Sequence, residues 1–297
     1  MRVEALEKER VQEFIDYCKK YRREVDESFL YDEDLEGFTP DLENPTYVIV
    51  DDGDKIIAAA SLIVDDYMRK GKKGRFRILH SSLQQLEHYK MLLRSMLNHT
   101  EGLDKIMVFS SIINKEFTST LEKLNFNAER YSFLLLRESL DIPEVVLPKG
   151  YIIRSFQRGR DEEIWCEVRN SSFAKLLGSE TPQTPEMILK MNSGKDYIEG
   201  GAMILYHGNK AVGVVRATKD EYEGLPDLNI GPLAIIPGYQ GKGLGRVILR
   251  AALAFAVKNG YSRTVLCVNA ENDRAKALYL QEGFKQVEAV ACYKYDI

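Results

Sequence analysis

The sequence of 297 residues has few cysteines and no long apolar run. Its four cysteines form no CxxC pair, and no histidine lies at metal-ligand spacing from them; they are Cys18, Cys166, Cys267 and Cys292. This argues against a disulfide framework and a structural zinc site, so no metal is expected. No uninterrupted apolar run approaches the ~20 residues that a membrane span needs.

A large charge of one sign is also absent. The formal net charge is −4, with 44% hydrophobic and 29% charged residues, a composition typical of a globular protein. There is no general electrostatic reason to bind nucleic acid or an anionic membrane, and the densest basic stretch, Arg69–Arg75, resembles a solvated hairpin turn. Because Met1–Lys8 lacks the apolar core of a signal peptide, we expect a cytoplasmic protein.

The chain is long enough for two domains, and proline and glycine suggest a linker between residues 138 and 150 (Pro143, Pro148, Gly150). A helix followed by a pair of strands is predicted on each side. These elements are a helix over 7–25 with strands 46–50 and 55–60, and a helix over 161–173 with strands 203–206 and 211–215. This order predicts an α/β protein.

The two halves also share one constant offset. Three residue pairs are each 158 positions apart: Gly102 with Gly260, Asn114 with Asn272, and Phe126 with Phe284. A gapless offset over this stretch is hard to obtain by chance, and it indicates a duplicated fold.

Glycines cluster in one hexapeptide, Gln240–Gly245, between an apolar run (233–237) and an amphipathic run (247–257). Strand, glycine-rich turn and helix in this order expose backbone N–H groups at the positive end of a helix, which is a site for a pyrophosphate. At the offset of 158, the first half carries Leu83, Gln85 and Glu87 in place of the three glycines. We therefore expect the first half to keep the fold and to lose the phosphate site.

A second motif follows the turn after an apolar strand at 264–268. It runs from Asn272 to Phe284 and has the form N-x-x-A-x-x-x-Y-x-x-x-G-F. With the Q-x-x-G-x-G turn, it resembles the GNAT acetyltransferases from about Tyr151 to Tyr295. The resemblance implies an α/β fold of the mixed-sheet (α+β) type in two tandem GNAT-like copies: residues 1–140, degenerate and without the glycine-rich turn, and residues 150–297, with an acyl-CoA site.

The resemblance also implies where acyl-CoA binds: in a gap between strands 228–236 and 264–268. The pyrophosphate would lie on the N–H groups of the glycine-rich turn, with Lys242 or Arg246 adding charge, and the pantetheine arm would pair with the first strand. Asn272 would contact CoA or cap the last helix. The implied cofactor-binding residues are Leu233, Ala234, Ile235, Gln240, Gly241, Lys242, Gly243, Leu244, Gly245, Arg246 and Asn272.

Tyr279 matches the family tyrosine assigned as the general acid toward the departing sulfur. An ordinary tyrosine pKa of about 10 lies above that of a thiol, about 8.5, so the hydroxyl is protonated at neutral pH. The first half has Leu121 at the equivalent position. The general base is unassigned: Glu221, Glu223 and Asp227 are candidates or solvated loop residues. Cys267 and Cys292 are expected to be packed thiols, since no histidine is near in sequence.

The leading hypothesis is an N-acyltransferase that moves an acetyl group from acetyl-CoA to a small-molecule or peptide amine, with neither nucleic acid nor membrane as a partner. The stretches 173–196 and 219–226 would be loops that read the acceptor, the first as a lid. The alternative is a non-catalytic CoA-binding sensor or partner-binding protein. A transferase using aminoacyl-tRNA is disfavoured by the acidic charge and the intact glycine turn.

Overall fold

A computed structural model describes residues 1–142 and 144–297. The chain divides into two compact units, each a mixed sheet flanked by helices. The first unit comprises Met1–Ser132 with Ala289–Ile297, and the second unit comprises Phe133–Glu288.

Helices and strands make up most of both units. In chain order, those up to residue 126 are β1 (Arg2–Ala5), α1 (Val11–Tyr21), α2 (Asp32–Leu35), β2 (Thr46–Val50), β3 (Ile56–Ile63), α3 (Asp66–Lys70), β4 (Lys73–Ser81), α4 (Leu86–Leu97), β5 (Lys105–Ser111) and α5 (Lys115–Lys123). The remainder are β6 (Asn127–Glu138), β7 (Tyr151–Ser155), α6 (Glu162–Phe173), α7 (Pro185–Met191), β8 (Ala202–His207), β9 (Lys210–Tyr222), β10 (Leu225–Ile235), α8 (Leu244–Lys258), β11 (Arg263–Asn269), α9 (Asp273–Gln281) and β12 (Lys285–Asp296).

The sheet of the first unit has the order β1-β2-β3-β4-β5-β12. Its β4–β5 pair is parallel, and its β12 contribution comes from the end of the chain, where residues 290–296 pair antiparallel with 105–111. The sheet of the second unit has the order β6-β11-β10-β9-β8-β7, and β10–β11 is its parallel pair. Each unit therefore has one parallel pair of neighbouring central strands.

Apolar side chains fill both faces of each sheet. In the first unit, α4 packs Leu92 and Met96 on one face, and α1 packs Phe14 on the other. In the second unit, α8 packs Leu253 on one face, and α6 packs the fully buried Trp165 on the other. Since each such side chain contributes roughly 1.5–3 kcal/mol, this burial fixes which face of each sheet every helix covers.

The predicted duplication is confirmed by the positions of the elements. The starts of α4, β5, α5 and β6 lie 158 residues before those of α8, β11, α9 and β12, respectively. Asn114 and Asn272 both cap the following helix by accepting a hydrogen bond from the backbone N–H three residues on. In this part of the fold, the helices and strands of the two copies begin at equivalent residues.

Several local predictions were wrong. Arg69–Arg75 is not a hairpin turn: Asp65 caps α3, which ends at Lys70, and β4 begins at Lys73, whose side chain is buried. The stretch 173–196, predicted to be a loop, contains α7, whose first turn is capped by Thr184; its role as a lid stays a prediction.

The predicted loop over 219–226 is a hairpin. The ends of β9 and β10 close around Glu223 and Gly224, which both have positive φ, 58° and 75°. Two such residues match the twist of a hairpin, and this turn chemistry was overlooked in the sequence. In the predicted linker, no strand or helix lies between Glu138 and Tyr151 among the described residues, and Pro143 lies outside them.

The helix predicted over 7–25 is shorter, since α1 spans 11–21 between two 3-10 turns. Within residues 1–142 and 144–297, no helix combines the length and the apolar character that crossing a membrane would require.

Candidate functional site

The parallel strands of the second unit separate soon after they meet. Only Leu228 with Thr264 and Asn229 with Val265 are paired between β10 and β11. The register of β10 then shifts between Ile230 and Leu233, at a cis Gly231-Pro232 peptide bond. Beyond this point β10 stays paired with β9 alone, and a gap opens toward the carboxyl ends of β10 and β11.

The edge of β10 that faces this gap has free backbone groups. Ile236 donates its N–H to Val212 of β9, so the residues that alternate with it, Leu233 and Ile235, direct their amides to the other edge. The Ile235 carbonyl accepts from the side chain of Gln240 at 2.8 Å. Gln240 thus fastens the turn to the strand, and the remaining groups on this edge can pair with an extended ligand that carries amides.

The glycine-rich turn ends in an uncapped helix. Gly243 is the N-cap residue of α8, and it provides no side-chain cap. The backbone N–H groups of residues 241–245 donate to no protein acceptor in the described part of the chain. Gly241 and Gly243 both have φ of 76°, and a Cβ at either would meet no atom within 4 Å. Five successive N–H groups at the positive end of a 15-residue helix form an open site for an anion.

Two cations were predicted near this turn, and they differ in their surroundings. Arg246 Nε lies 3.0 Å from Glu282 Oε1, and its guanidinium also contacts Gln281. Glu282 is further bound by Arg250, so Arg246 belongs to an ion-pair network. Lys242 is exposed and lies over the Tyr239 ring, 4.9 Å from its centroid, without a carboxylate partner among the described residues. Lys242 is therefore the more available charge for an anion.

Asn272 caps α9, which confirms one of the two roles considered for it. Its Oδ1 accepts a hydrogen bond from the N–H of Ala275 at 3.3 Å. Its Nδ2 makes no hydrogen bond within the described chain, so the same side chain can still donate to a ligand.

Tyr279 is a buried residue of α9. The residue is 7% exposed and packs edge-on against Phe284 at 6.0 Å between ring centroids. The hydroxyl has no hydrogen-bond partner in the described chain. Burial raises the pKa of Tyr279 to about 12. The proton therefore stays on the oxygen across the neutral range.

None of the three carboxylates suggested as a base lies where the strands separate. Asp227 is fully buried, its Oδ1 lies 3.1 Å from Arg263 Nε, and it precedes the paired residues of β10. Burial raises the pKa of Asp227, and Arg263 acts against this shift. Glu221 is the second-last residue of β9 and Glu223 lies in the hairpin turn; both are exposed. These positions are explained by the hairpin that stands in place of the predicted loop.

The two cysteines of interest have different environments. Cys292 is buried, as expected, and burial raises the pKa of its thiol to about 11. Cys267 is exposed, so the expectation of a packed thiol was wrong there. The reason is its place on β11, just beyond the last residue paired with β10. Among the residues that the structure describes, no group of three His, Cys, Asp or Glu side chains could hold a metal.

The first unit has the same divergence of strands, but its own chain fills the space. Pairing between β4 and β5 stops after Arg75. Asn114 Nδ2 donates to the Glu24 carbonyl at 3.2 Å, and Arg77 donates to the Phe29 carbonyl at 3.1 Å. Between this segment and the two strands remains a cavity of about 10 Å³, too small for a ligand. Residues 24–29 are called the plug segment below.

The turn before α4 also lacks the anion site. Gln85 is the N-cap residue there, and the preceding Gln84 has φ of 49° and donates its N–H to Ser81. Glu87 stands in the first turn of α4, 2.6 Å from Lys90. A carboxylate at the positive end of the helix repels a phosphate where the second unit offers free N–H groups.

Comparison with known proteins agrees with this geometry. The model of the "Acetyltransferase (GNAT) family" matches residues 163–284. The mycothiol acetyltransferase of Renibacterium salmoninarum is 25% identical over 232 residues, which cover 73% of this chain and 66% of that protein. The chain spans between half and two thirds of the length of the first curated relatives that it matches.

Two solved structures share the fold over nearly the whole chain. A GCN5-related N-acetyltransferase from Sphaerobacter thermophilus has a TM-score of 0.73 at 15% identity and covers 99% of this chain and 95% of its own. A tandem GNAT protein from the clavulanic acid biosynthesis pathway has a TM-score of 0.72 at 12% identity, with 99% and 98% covered.

Residues 163–284 match the GNAT acetyltransferase family, and the fold of nearly the whole chain is shared with the two solved structures. Fold and sheet order together define an α/β protein with two related copies of one fold.

Proposed function

We propose that the protein transfers an acyl group, most simply acetyl, from acetyl-CoA to a primary amine. The observation that carries the proposal is the anion site of residues 241–245 beside the free edge of β10. An anion site followed by an unpaired strand edge matches a pyrophosphate followed by an arm that contains two amides. No such combination exists among the described residues of the first unit, whose gap holds the plug segment.

In this proposal the pyrophosphate lies on the N–H groups of the turn, with Lys242 nearby. The backbone groups of Leu233 and Ile235 pair with the pantetheine amides, and Ala234 lies between them on the strand. The free Nδ2 of Asn272 donates a hydrogen bond to the cofactor. The thioester then lies beyond Leu233, where β10 and β11 separate. Since Arg246 is held by Glu282, its part is to support the start of α8.

The reaction is a direct attack in a ternary complex. The amine nitrogen forms a bond to the thioester carbon and loses one proton, while the carbon–sulfur bond breaks and the sulfur gains one proton. Tyr279 donates from its protonated hydroxyl to the departing sulfur as general acid. Because its pKa exceeds that of a thiol, the hydroxyl stabilises the developing thiolate by a hydrogen bond and regains any proton it gives.

The functional division follows the two copies. Residues 150–297 form the catalytic domain, and residues 1–140 form a degenerate domain that acts as scaffold. The relative named for mycothiol acetylation supports a small-molecule amine as acceptor, and a peptide amine is the other class. We place the protein in the cytoplasm, acting without metal, nucleic acid or membrane.

Calorimetric titration with acetyl-CoA, followed by a free-thiol assay with a panel of primary amines, tests the proposal. We expect one site per chain and amine-dependent release of CoA thiol. Two equivalent sites would contradict the claim that the first copy is degenerate. Absence of binding would overturn the acyl-CoA assignment itself.

A non-catalytic CoA-binding protein is the second candidate. It is favoured by the positions of Glu221, Glu223 and Asp227, none of which lies where the strands separate. Saturable acetyl-CoA binding without thiol release in the presence of any amine would support it over the transferase.

A further inference from the structure

The two faces of the second sheet differ beside the gap. Leu228 and Ile230 of β10 pack with the side chains of α8 and with Tyr279. Asn229 lies between them in sequence, so its side chain is on the opposite face, which α6 covers. Tyr279 therefore lies on one face of β10 beside the gap, and Asn229 lies on the other face.

The orientation of the Asn229 amide is fixed by a carboxylate. Asn229 Nδ2 donates to Asp220 Oδ2 at 2.7 Å, and a carboxylate accepts only, so the amide oxygen must point away from Asp220. Asn229 Oδ1 lies 3.6 Å from where a Cβ on Gly231 would stand. The amide oxygen therefore lies at the residue where β10 leaves β11, and no group of the described chain donates to it.

Asp220 differs from the other carboxylates on this face in lacking a cation. Asp196 is paired with Arg216 at 2.7 Å, and Asp227 with Arg263 at 3.1 Å. Asp220 accepts from Asn229 and from the N–H of Glu221, and no lysine or arginine of the described residues pairs with it. A half-buried carboxylate with hydrogen bonds but no positive partner suits a cation supplied from outside.

Resting on the proposed function, we propose that Asp220 and Asn229 form the site for the acceptor's ammonium group. Asn229 Oδ1 accepts a hydrogen bond from the amine at the point where the strands separate. Asp220 holds the Asn229 amide in that orientation and supplies the negative charge that selects a cationic acceptor. The acceptor is then a primary amine that is protonated in solution, gives up one proton to solvent before it attacks, and reaches the thioester from the face covered by α6.

Two substitutions separate charge from orientation. Asp220→Asn keeps an oxygen that can accept from Asn229 Nδ2 and removes the charge, so the KM for butylamine should rise about 10- to 100-fold with little change in kcat. Hydroxylamine, which is neutral at pH 7.5, should show no such rise. Asn229→Ala should raise the KM for both amines, because it removes the acceptor oxygen itself.

Glu221→Gln is the matched control, since Glu221 is the exposed carboxylate next to Asp220 in sequence. It should leave the KM for both amines and the Kd for acetyl-CoA unchanged. If wild type acetylates butylamine and the Asp220 and Asn229 variants keep its KM, the assignment is wrong while the transferase function stands.

A binding measurement makes the assignment independent of turnover. The side-chain amide signals of Asn229 in the ¹⁵N spectrum, identified by their loss in Asn229→Ala, should shift when butylammonium is titrated into the complex with CoA. Asp220→Asn should weaken that titration about 10-fold or more. A wild-type signal that does not move overturns the ammonium site, whatever the thiol assay shows about the transferase.

Discussion

The two units start from the same framework and treat the same gap in opposite ways. In both, a parallel central pair separates after two or three residues, and an asparagine caps the helix that follows the second strand. The first unit fills the opening with residues 24–29, and its Asn114 binds the backbone of that segment. The second unit leaves the Nδ2 of Asn272 free of partners among the described residues. The fold needs the framework, whereas a binding site also needs the space to be left open.

The lengths of the two openings differ as well. Ten residues (76–85) lie between the last paired residue of β4 and the start of α4, whereas fourteen (230–243) lie between the last paired residue of β10 and the start of α8. On the partner strands the corresponding spacing is equal. The additional residues accommodate a 3-10 turn at Pro237–Tyr239 and the glycine-rich turn, and they give the second unit a longer free strand edge.

The largest difference between the units should follow from one matched pair of substitutions at helix N-caps. Gly243→Asp places a carboxylate among the free N–H groups and forces a side chain onto a φ of 76°, so acetyl-CoA affinity should fall at least about 100-fold. Gln85→Asp makes the equivalent change before α4 and should leave affinity unchanged. Calorimetry on both variants measures the contrast, and equal losses would show that the first unit takes part in binding.

Tyr279→Phe should have the next largest effect, lowering kcat about 10- to 100-fold with the Kd for acetyl-CoA unchanged. Leu121→Phe, at the equivalent position of the first unit, should change neither once folding is verified. An unchanged kcat in Tyr279→Phe would show that the hydroxyl is not the general acid.

The same tyrosine sets an expectation for pH. Its pKa of about 12 keeps the hydroxyl protonated well above neutrality, so any step that needs the proton is retained as the pH rises and is lost only near pH 12. Between pH 6 and 10, the kcat of the wild type should therefore show no alkaline decrease that is absent from Tyr279→Phe. Such a loss near pH 10 would mean that the ring is not buried in the working enzyme.

The smallest effects should come from the two capping asparagines. Asn114→Ala and Asn272→Ala each remove a helix cap, which costs about 1 kcal/mol of stability by thermal unfolding. Only Asn272→Ala should also weaken acetyl-CoA binding, by a few fold, because its Nδ2 is free for the cofactor. Equal acetyl-CoA affinity in both variants would show that Asn272 acts only as a helix cap.

What the sequence predicted well was set by local chemistry. The offset of 158 predicted a duplicated fold, and it was visible at Asn114 and Asn272 because each caps the helix that follows it through a bond three residues on. The glycine-rich turn was recognisable because positive φ at Gly241 and Gly243 requires glycine there. Hydrophobic periodicity placed the amphipathic core helices for the same local reason.

What it missed depends on contacts between distant parts of the chain. No local signal shows that Arg77 and Asn114 would hold residues 24–29 in the first gap, 48 and 90 positions away in sequence. The pairing of Asp220 with Asn229 depends on the β9–β10 hairpin, which the prediction of a loop over 219–226 does not contain. The exposure of Cys267 likewise follows from where two strands separate rather than from its neighbours in sequence.

The last strand carries a consequence for how the protein is made. Residues 290–296 supply the antiparallel neighbour of β5, so the first unit combines residues 1–132 with residues 289–297. During synthesis the ribosome delivers residues 1–132 well before that strand. Until residues 290–296 emerge, β5 presents an unpaired edge, and the sheet of the first unit cannot be completed before the second unit has been translated.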